Sequence, residues 1–326
     1  MPSIKSLLRH SYQWSAATFG AHNRRHSEPR LWVLMYHRIL PEHDPRYRLE
    51  EPGMVVTPDS FRMHLEECQK LFDMVALNDW VEDVRNGRPI PSKACAVTFD
   101  DGWQDNLDYA APILEQTGIP ATLFAVVDKI GTDFRFWPNI VMELLARDSE
   151  IFKQHPLFQN LPGVGDSRLT RDTLAAAIDH LKQYSEAELF DALESLNWRK
   201  LLEDTPPSLM NWTDMKRSPF AVGCHTQTHR RLTSWLTEDD LDYEIIDSAT
   251  SLKQQVPNSL PLFCYPNGDY DARALQRVST TYRAAVTTQK GINTVSSLNL
   301  HELKRIPIHD DMANTRMKFR ARLAAW

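Results

Sequence analysis

Apolar residues along this chain fall into short runs separated by stretches of helical periodicity. Residues 31–40, Leu-Trp-Val-Leu-Met-Tyr-His-Arg-Ile-Leu, form a run of strand length. Thr57-Pro58-Asp59-Ser60 is a helix start, after which Phe61, Leu65, Cys68, Leu71 and Phe72 share one apolar side. A short strand over 73–77, a helix opened by Asn78-Asp79 and closed at Gly87, and a strand over 94–99 come next. Residues 106–117 read as a helix stopped by Gly118, and 121–127 as another strand. Such alternation predicts a parallel sheet with crossover helices.

After Asp128 the pattern changes. Residues 134–207 keep helical periods without a convincing strand, and helices are expected over 139–146, 171–182 and 186–196. The block reads as a helical insertion and not as an independent domain. Alternation then resumes with a helix over 212–216, a strand over 220–224, and a long helix capped by Thr237-Glu238-Asp239-Asp240 that runs to about residue 255. A strand over 261–265, a helix over 272–278 and strands over 284–287 and 305–308 complete the chain, which shows no internal repeat.

Two of these strands end in side chains suited to chemistry. Val97-Thr98-Phe99 runs into Asp100-Asp101-Gly102, and Phe220-Ala221-Val222-Gly223-Cys224 runs into His225-Thr226-Gln227-Thr228-His229. Strand ends are where α/β barrels keep their reactive groups. One carboxylate with two imidazoles makes a three-ligand divalent metal site with positions left for water and substrate. The other carboxylate is then free to act as a base on the metal-bound water. The residues alone do not say which Asp takes which role. Neighbours on a strand face opposite ways, so a shared site requires the strand to end there, and Gly102 permits a sharp exit.

These motifs resemble those of the polysaccharide deacetylase family, also called the NodB-homology or carbohydrate esterase 4 family. Thr98-Phe99-Asp100-Asp101-Gly102 matches its first catalytic motif, and His225-Thr226-Gln227-Thr228-His229 its metal motif. Val33-Leu34-Met35-Tyr36-His37-Arg38 looks like its opening strand, and Phe263-Cys264-Tyr265-Pro266-Asn267-Gly268 like a variant of its third motif. The resemblance spans about residues 31–312. It implies an α/β fold, a distorted (β/α)7-type barrel with the insertion at 134–207, following a leader of residues 1–30. It also implies Asp101, His225 and His229 as metal ligands, zinc as the ion, and Asp100 as the base.

For the leaving-group acid the resemblance points to His309, in Ile306-Pro307-Ile308-His309-Asp310, while His37 ends the first strand and is the rival. Tyr265-Pro266 is expected to aim the Tyr265 backbone N–H at the developing oxyanion. The family's commoner form has an Arg in this third motif; here Phe263 or Cys264 stands in its place, and Arg305 is the candidate to orient Asp100. Trp103, directly after Asp-Asp-Gly, and Phe136-Trp137-Pro138 are candidate platforms for a sugar ring.

Composition narrows the setting. The 326 residues, 42% hydrophobic and 25% charged, are an ordinary globular composition and suffice for one large α/β domain with insertions or for two small domains. A net charge of −6 argues against a nucleic-acid partner. Residues 11–20 include Gln13, Ser15 and Thr18 and lack a secretory core, so no signal peptide is expected and the cytoplasm is the expected location. Ile4, Leu7, Leu8 and Tyr12 fall near helical spacing, yet the basic leader is expected to be only partly ordered, with at most weak contact to a membrane surface. Cys68, Cys95, Cys224 and Cys264 show no paired spacing and read as free buried thiols.

The expected function is metal-dependent removal of N-acetyl groups from sugars of a surface polysaccharide or of its lipid-linked or oligosaccharide precursor. An O-acetyl esterase or amino-sugar deformylase with the same site is the alternative within enzymes. An inactive glycan-binding protein is the alternative outside them.

Overall fold

The computed structural model describes residues 4–166 and 168–324. Seven parallel strands close into a barrel: β1 (Arg30–Tyr36), β2 (Lys93–Phe99), β3 (Ala121–Ala125), β4 (Phe220–Cys224), β5 (Leu262–Cys264), β6 (Ala284–Lys290) and β7 (Leu303–Pro307). β1 pairs with β2 on one side and with β7 on the other, which closes the ring. Its strands are apolar on both faces because helices cover the outside and side chains fill the inside. Leu31, Val33, Ala94, Ala96, Phe124, Leu262, Val286 and Leu303 form the inner cluster, plugged by Leu77, Trp80 and Val81 of the helix Leu77–Arg85. The alternate residues Trp32, Leu34, Tyr36, Val97 and Phe99 pack outward under the helices. Gly223 has no room for a side chain, since a Cβ would meet the Phe124 ring at 2.8 Å and the Leu262 carbonyl oxygen at 3.1 Å.

Several expected elements change role. The strand expected over 73–77 is reduced to Asp73–Met74, which pairs with β2 outside the ring. The run 31–40 breaks after Tyr36, and Arg38–Ile39 forms a separate two-stranded sheet with Val55–Val56. The long helix expected from Thr237 is interrupted by a π turn at Tyr243–Asp247.

The leader takes up the helical spacing noted at its start. Residues Ile4–Phe19 form a helix, α1, whose Ala16 and Ala17 are buried. It packs on the C-terminal helix Arg316–Leu323. Small residues let the two backbones come close, an attraction that only the tertiary partner reveals. The sidedness expected of Ile4, Leu7 and Leu8 lies outside the described side chains. Among the described residues no helix is long and apolar enough to cross a membrane.

The block 134–207 is helical, built on α2 (Trp137–Asp148), α3 (Arg171–Leu181) and α4 (Glu186–Ser195). Ile140, Leu144, Phe152, Phe158, Ile178 and Leu193 belong to a core of its own, distinct from that of the barrel. Met210 N–H donates to the Gly102 carbonyl and Gln104 N–H to that of Ser208, which ties the returning chain to the loop after β2.

Candidate active site

Residues 94, 96 and 98 of β2 face the barrel interior, and Asp100 continues that series at the C-terminal mouth. Its N–H donates to the Tyr36 carbonyl at 3.1 Å, as the last rung of the ladder with β1. Asp101 should then point outward. It does not, because Asp101 itself takes a left-handed backbone with φ of 74°, followed by Gly102 at 92°. The turn expected of Gly102 is therefore shared. A left-handed non-glycine residue costs roughly 1–2 kcal/mol, and here it aims two adjacent carboxylates at one place.

The His225–His229 loop carries similar strain. Thr226 and His229 have φ of 64° and 72°, an unusual conformation above all for β-branched Thr. Surrounding bonds hold it: His229 N–H donates to Thr226 Oγ1, Val127 N–H to the Thr226 carbonyl, and Asp128 N–H to the Gln227 carbonyl. Glu244, fully buried in the π turn, accepts from the Thr228 N–H at 2.8 Å and from the Thr228 hydroxyl. Backbone strain held by so many partners marks functional loops.

Together these turns bring His225 Nε2 and His229 Nε2 each to 3.5 Å from Asp101 Oδ1. Three N/O donors about 2.0–2.1 Å from one tetrahedral centre stand roughly 3.4 Å apart. Both distances to Asp101 match that spacing, and all three atoms lie within 4.8 Å of one another, so the trio could hold a single ion. His225 Nδ1 bonds the Cys264 carbonyl at 2.8 Å; since a carbonyl only accepts, Nδ1 carries hydrogen and Nε2 is the atom turned to the site. Burial pushes His229 down to about 4, with the neighbouring His225 adding to the effect. Burial also opposes charge on His225, but Cys264 and Asp101 raise it well above its ordinary value. At neutral pH no more than one of the two imidazoles is then charged.

Asp100 sits beside this trio in a different setting. Arg305 Nη1 and Nη2 donate to its two oxygens at 2.7 and 2.8 Å. Arg305 is fully buried and also donates to the Thr287 carbonyl and Thr98 Oγ1. Desolvation pushes the Asp100 carboxyl up, but the guanidinium overrides it and holds the group below the usual carboxylate range. A second trio, Asp100, His225 and Cys264, also lies within ligand distance. Arg305 already fills the cation's place there, since Nη2 lies 3.2 Å from Cys264 Sγ as well.

The remaining expected residues divide. His37 Nε2 lies 3.8 Å from Asp100 Oδ2, at the partly exposed mouth. The His309 ring instead bonds Asp311 Oδ2 at 3.2 Å, and its charged neighbours are Asp311, Arg322 and Asp310. Tyr265 N–H donates to the Val286 carbonyl at 3.3 Å, so the sheet takes the donor expected to face the oxyanion. By strand parity its side chain points outward, against Phe263 and Tyr270, and its hydroxyl donates to the His301 carbonyl. Pro266 is buried in the turn Pro266–Gly268. Trp103 is 2% exposed and cannot be an open sugar platform; its indole N–H donates to Asp101 Oδ2 at 2.8 Å. Phe136 stands between it and His229, with ring centroids 5.1 Å from Trp103 and 5.0 Å from His229.

The polysaccharide deacetylase family model matches residues 87–186 and 166–285, well over half of the chain. The chain belongs to the polysaccharide deacetylase family. As a member it is a hydrolase of the carbohydrate deacetylase class, and an acetylated carbohydrate is its class of substrate. No curated protein matches it by sequence. Among solved structures it is similar to the deacetylase PplD of Streptococcus pyogenes in complex with acetate, with a TM-score of 0.57 at 19% identity, over 88% of this chain and 96% of that one. IcaB from Ammonifex degensii gives 0.57 at 16%, over 90% and 97%. The de-N-acetylase of Aggregatibacter actinomycetemcomitans gives 0.53 at 14%, over 89% and 99%. At such identities the likeness is one of fold.

For this deacetylase, sequence reasoning missed Cys264 as a group inside the site, although Phe263 and Tyr265 facing outward requires it. It also missed Glu244, whose only signal was a carboxylate on the helix side that carries Leu241, Ile245, Ser248 and Leu252.

Proposed function

We propose that this protein hydrolyses the N-acetyl group of an amino sugar, with Asp101, His225 and His229 holding one divalent ion and Asp100 as the base. The observation that carries the reading is the 3.5 Å distance from Asp101 Oδ1 to each of the two imidazole nitrogens, beside a carboxylate clamped by Arg305. Zinc suits two imidazole nitrogens and one carboxylate. A bound ion supplies Lewis acidity to the acetyl carbonyl and lowers the pKa of a water molecule.

The chain's own groups do the rest. Asp100 is kept ionised by Arg305 and accepts the proton of the attacking water. The water oxygen bonds to the acetyl carbon and the C–N bond breaks. The leaving nitrogen takes a proton from His37, and acetate and a free amino sugar result. His37 is favoured over His309 because its ring faces Asp100 while that of His309 faces Asp311. An amine leaves with a proton far more readily than without one, whereas a good alcohol leaving group needs little help. His37→Ala is therefore expected to lose amide cleavage by about 10²–10⁴-fold while keeping much of its activity on an activated acetyl ester. His309→Ala is expected to change both rates alike. Rates of both variants on both substrates decide it, and an amide-selective loss confined to His309→Ala reverses the roles.

The substrate we infer is a glycan or its lipid-linked or oligosaccharide precursor in the cytoplasm. Four unpaired, buried cysteines fit a reducing compartment. Exposed Tyr12, Trp14 and Phe19 on α1 fit a weak membrane-surface contact. Mass-spectrometric screening of acetylated sugars and lipid-linked glycans with zinc-loaded protein tests the substrate class. In the same assay His225→Ala/His229→Ala is expected to lose bound metal and activity together; full metal content in that variant would falsify the site.

A further inference from the structure

Asp101 offers two oxygens, and the torsion that rotates a carboxylate is soft. Left to itself it could present either oxygen, or both, to a cation. The Trp103 indole N–H, 2.8 Å from Oδ2, engages one of them and leaves Oδ1 at 3.5 Å from both imidazole nitrogens. The indole is itself held. The Arg38 guanidinium carbon lies 4.2 Å from the ring centroid. A cation on the ring face draws electron density from it and strengthens the N–H as a donor.

Arg38 is 3% exposed and has little freedom. Its Nε and Nη2 donate to Asp105 Oδ2 at 3.0 and 2.8 Å, and Nη1 donates to Glu50 Oε2 at 2.6 Å. The Ile39 N–H donates to the other Asp105 oxygen at 2.8 Å. Glu50 in turn accepts from Asn139 Nδ2 at 2.9 Å, on α2 of the insertion. Arg171 on α3 donates to the Glu50 and Glu51 carbonyls. A continuous chain therefore runs from half-buried Asn139 of the insertion through the buried Glu50, Arg38 and Trp103 to Asp101.

We propose that Trp103 is a positioning residue that fixes Asp101 as a one-oxygen metal ligand, and that Arg38, anchored to the helical insertion through Glu50 and Asn139, holds the indole in place. This rests on Asp101 being a ligand, as proposed above. The insertion then has a function in the site: its first two helices set the geometry of the metal site.

The test separates the N–H from the ring. Trp103→Phe removes the donor and part of the ring, while 3-benzothienylalanine at position 103 keeps the shape and places sulfur where the N–H was. Cobalt(II) affinity by chelator competition, the visible spectrum of the cobalt-loaded protein and the unfolding temperature of the metal-free protein are measured for each. Removal of a group that orients a ligand weakens metal binding by about 10–100-fold. That loss is expected in both proteins, with a spectrum altered towards higher coordination as Oδ2 is freed, and with an unchanged unfolding temperature for the benzothienyl protein. If Trp103→Phe does not fold, the benzothienyl protein decides alone. Cobalt affinity within about threefold of wild type and an unchanged spectrum overturn the proposal. Failure of the wild-type protein itself to bind cobalt overturns the metal reading, and this one with it.

Discussion

Asp100→Asn is expected to fold, to retain metal and to lose about 10²–10⁴-fold in turnover. Both oxygens of Asp100 face Arg305, at 2.7 and 2.8 Å, and none of the three metal-spaced atoms belongs to it. An amide at this position keeps size and one acceptor oxygen for the guanidinium, but it cannot take a proton from water. Metal content and turnover measured on the same preparation separate the two roles. Turnover near that of wild type would remove Asp100 as the base; loss of metal along with turnover would make it a ligand.

Arg305→Met is expected to cost about 3–5 kcal/mol of folding stability, the usual penalty for leaving a buried charge without its partner. The pair is desolvated on both sides, with side-chain exposure of 0% for Arg305 and 3% for Asp100. Nearly all of the penalty should come from the stranded carboxylate. The double variant Asp100→Asn/Arg305→Met is therefore expected to be more stable than Arg305→Met alone, although it carries one more substitution. Urea unfolding of the four proteins measures the coupling. Additive losses would show that Arg305 acts through Thr287 and Cys264 instead of through Asp100.

Most of the barrel was legible because a parallel strand covered on both faces must be a short apolar run, and a crossover helix must follow it. Residues 94–99, 121–127 and 220–224 were placed nearly to the residue. The segment 73–77 was expected as a short strand and is one only over Asp73–Met74; its pattern does not say whether it enters the ring or borders it. For the leader the helical spacing left a short helix and a partly ordered tail both open, because α1 packs on the helix Arg316–Leu323, some three hundred residues away in the chain. The two candidate-site motifs were legible through residue type and spacing. Arg305 was legible only by its position near the last strand; its pairing with both oxygens of Asp100 came from the structure.

Sequence by itself determined a parallel α/β fold with two motifs, Asp100-Asp101-Gly102 and His225 to His229, at strand ends, while the barrel came as what the family resemblance implies. Side-chain alternation is local and has a fixed period, so it can be read from the chain. Only the tertiary structure decided how the site is oriented. The left-handed turn at Asp101, the pairing of Arg305 with Asp100, the ring of His37 facing the mouth while His309 faces Asp311, and the burial of Trp103 against Arg38 all depend on neighbours distant in sequence. A buried polar group must find its partner wherever the closed barrel brings one, and no local pattern encodes that.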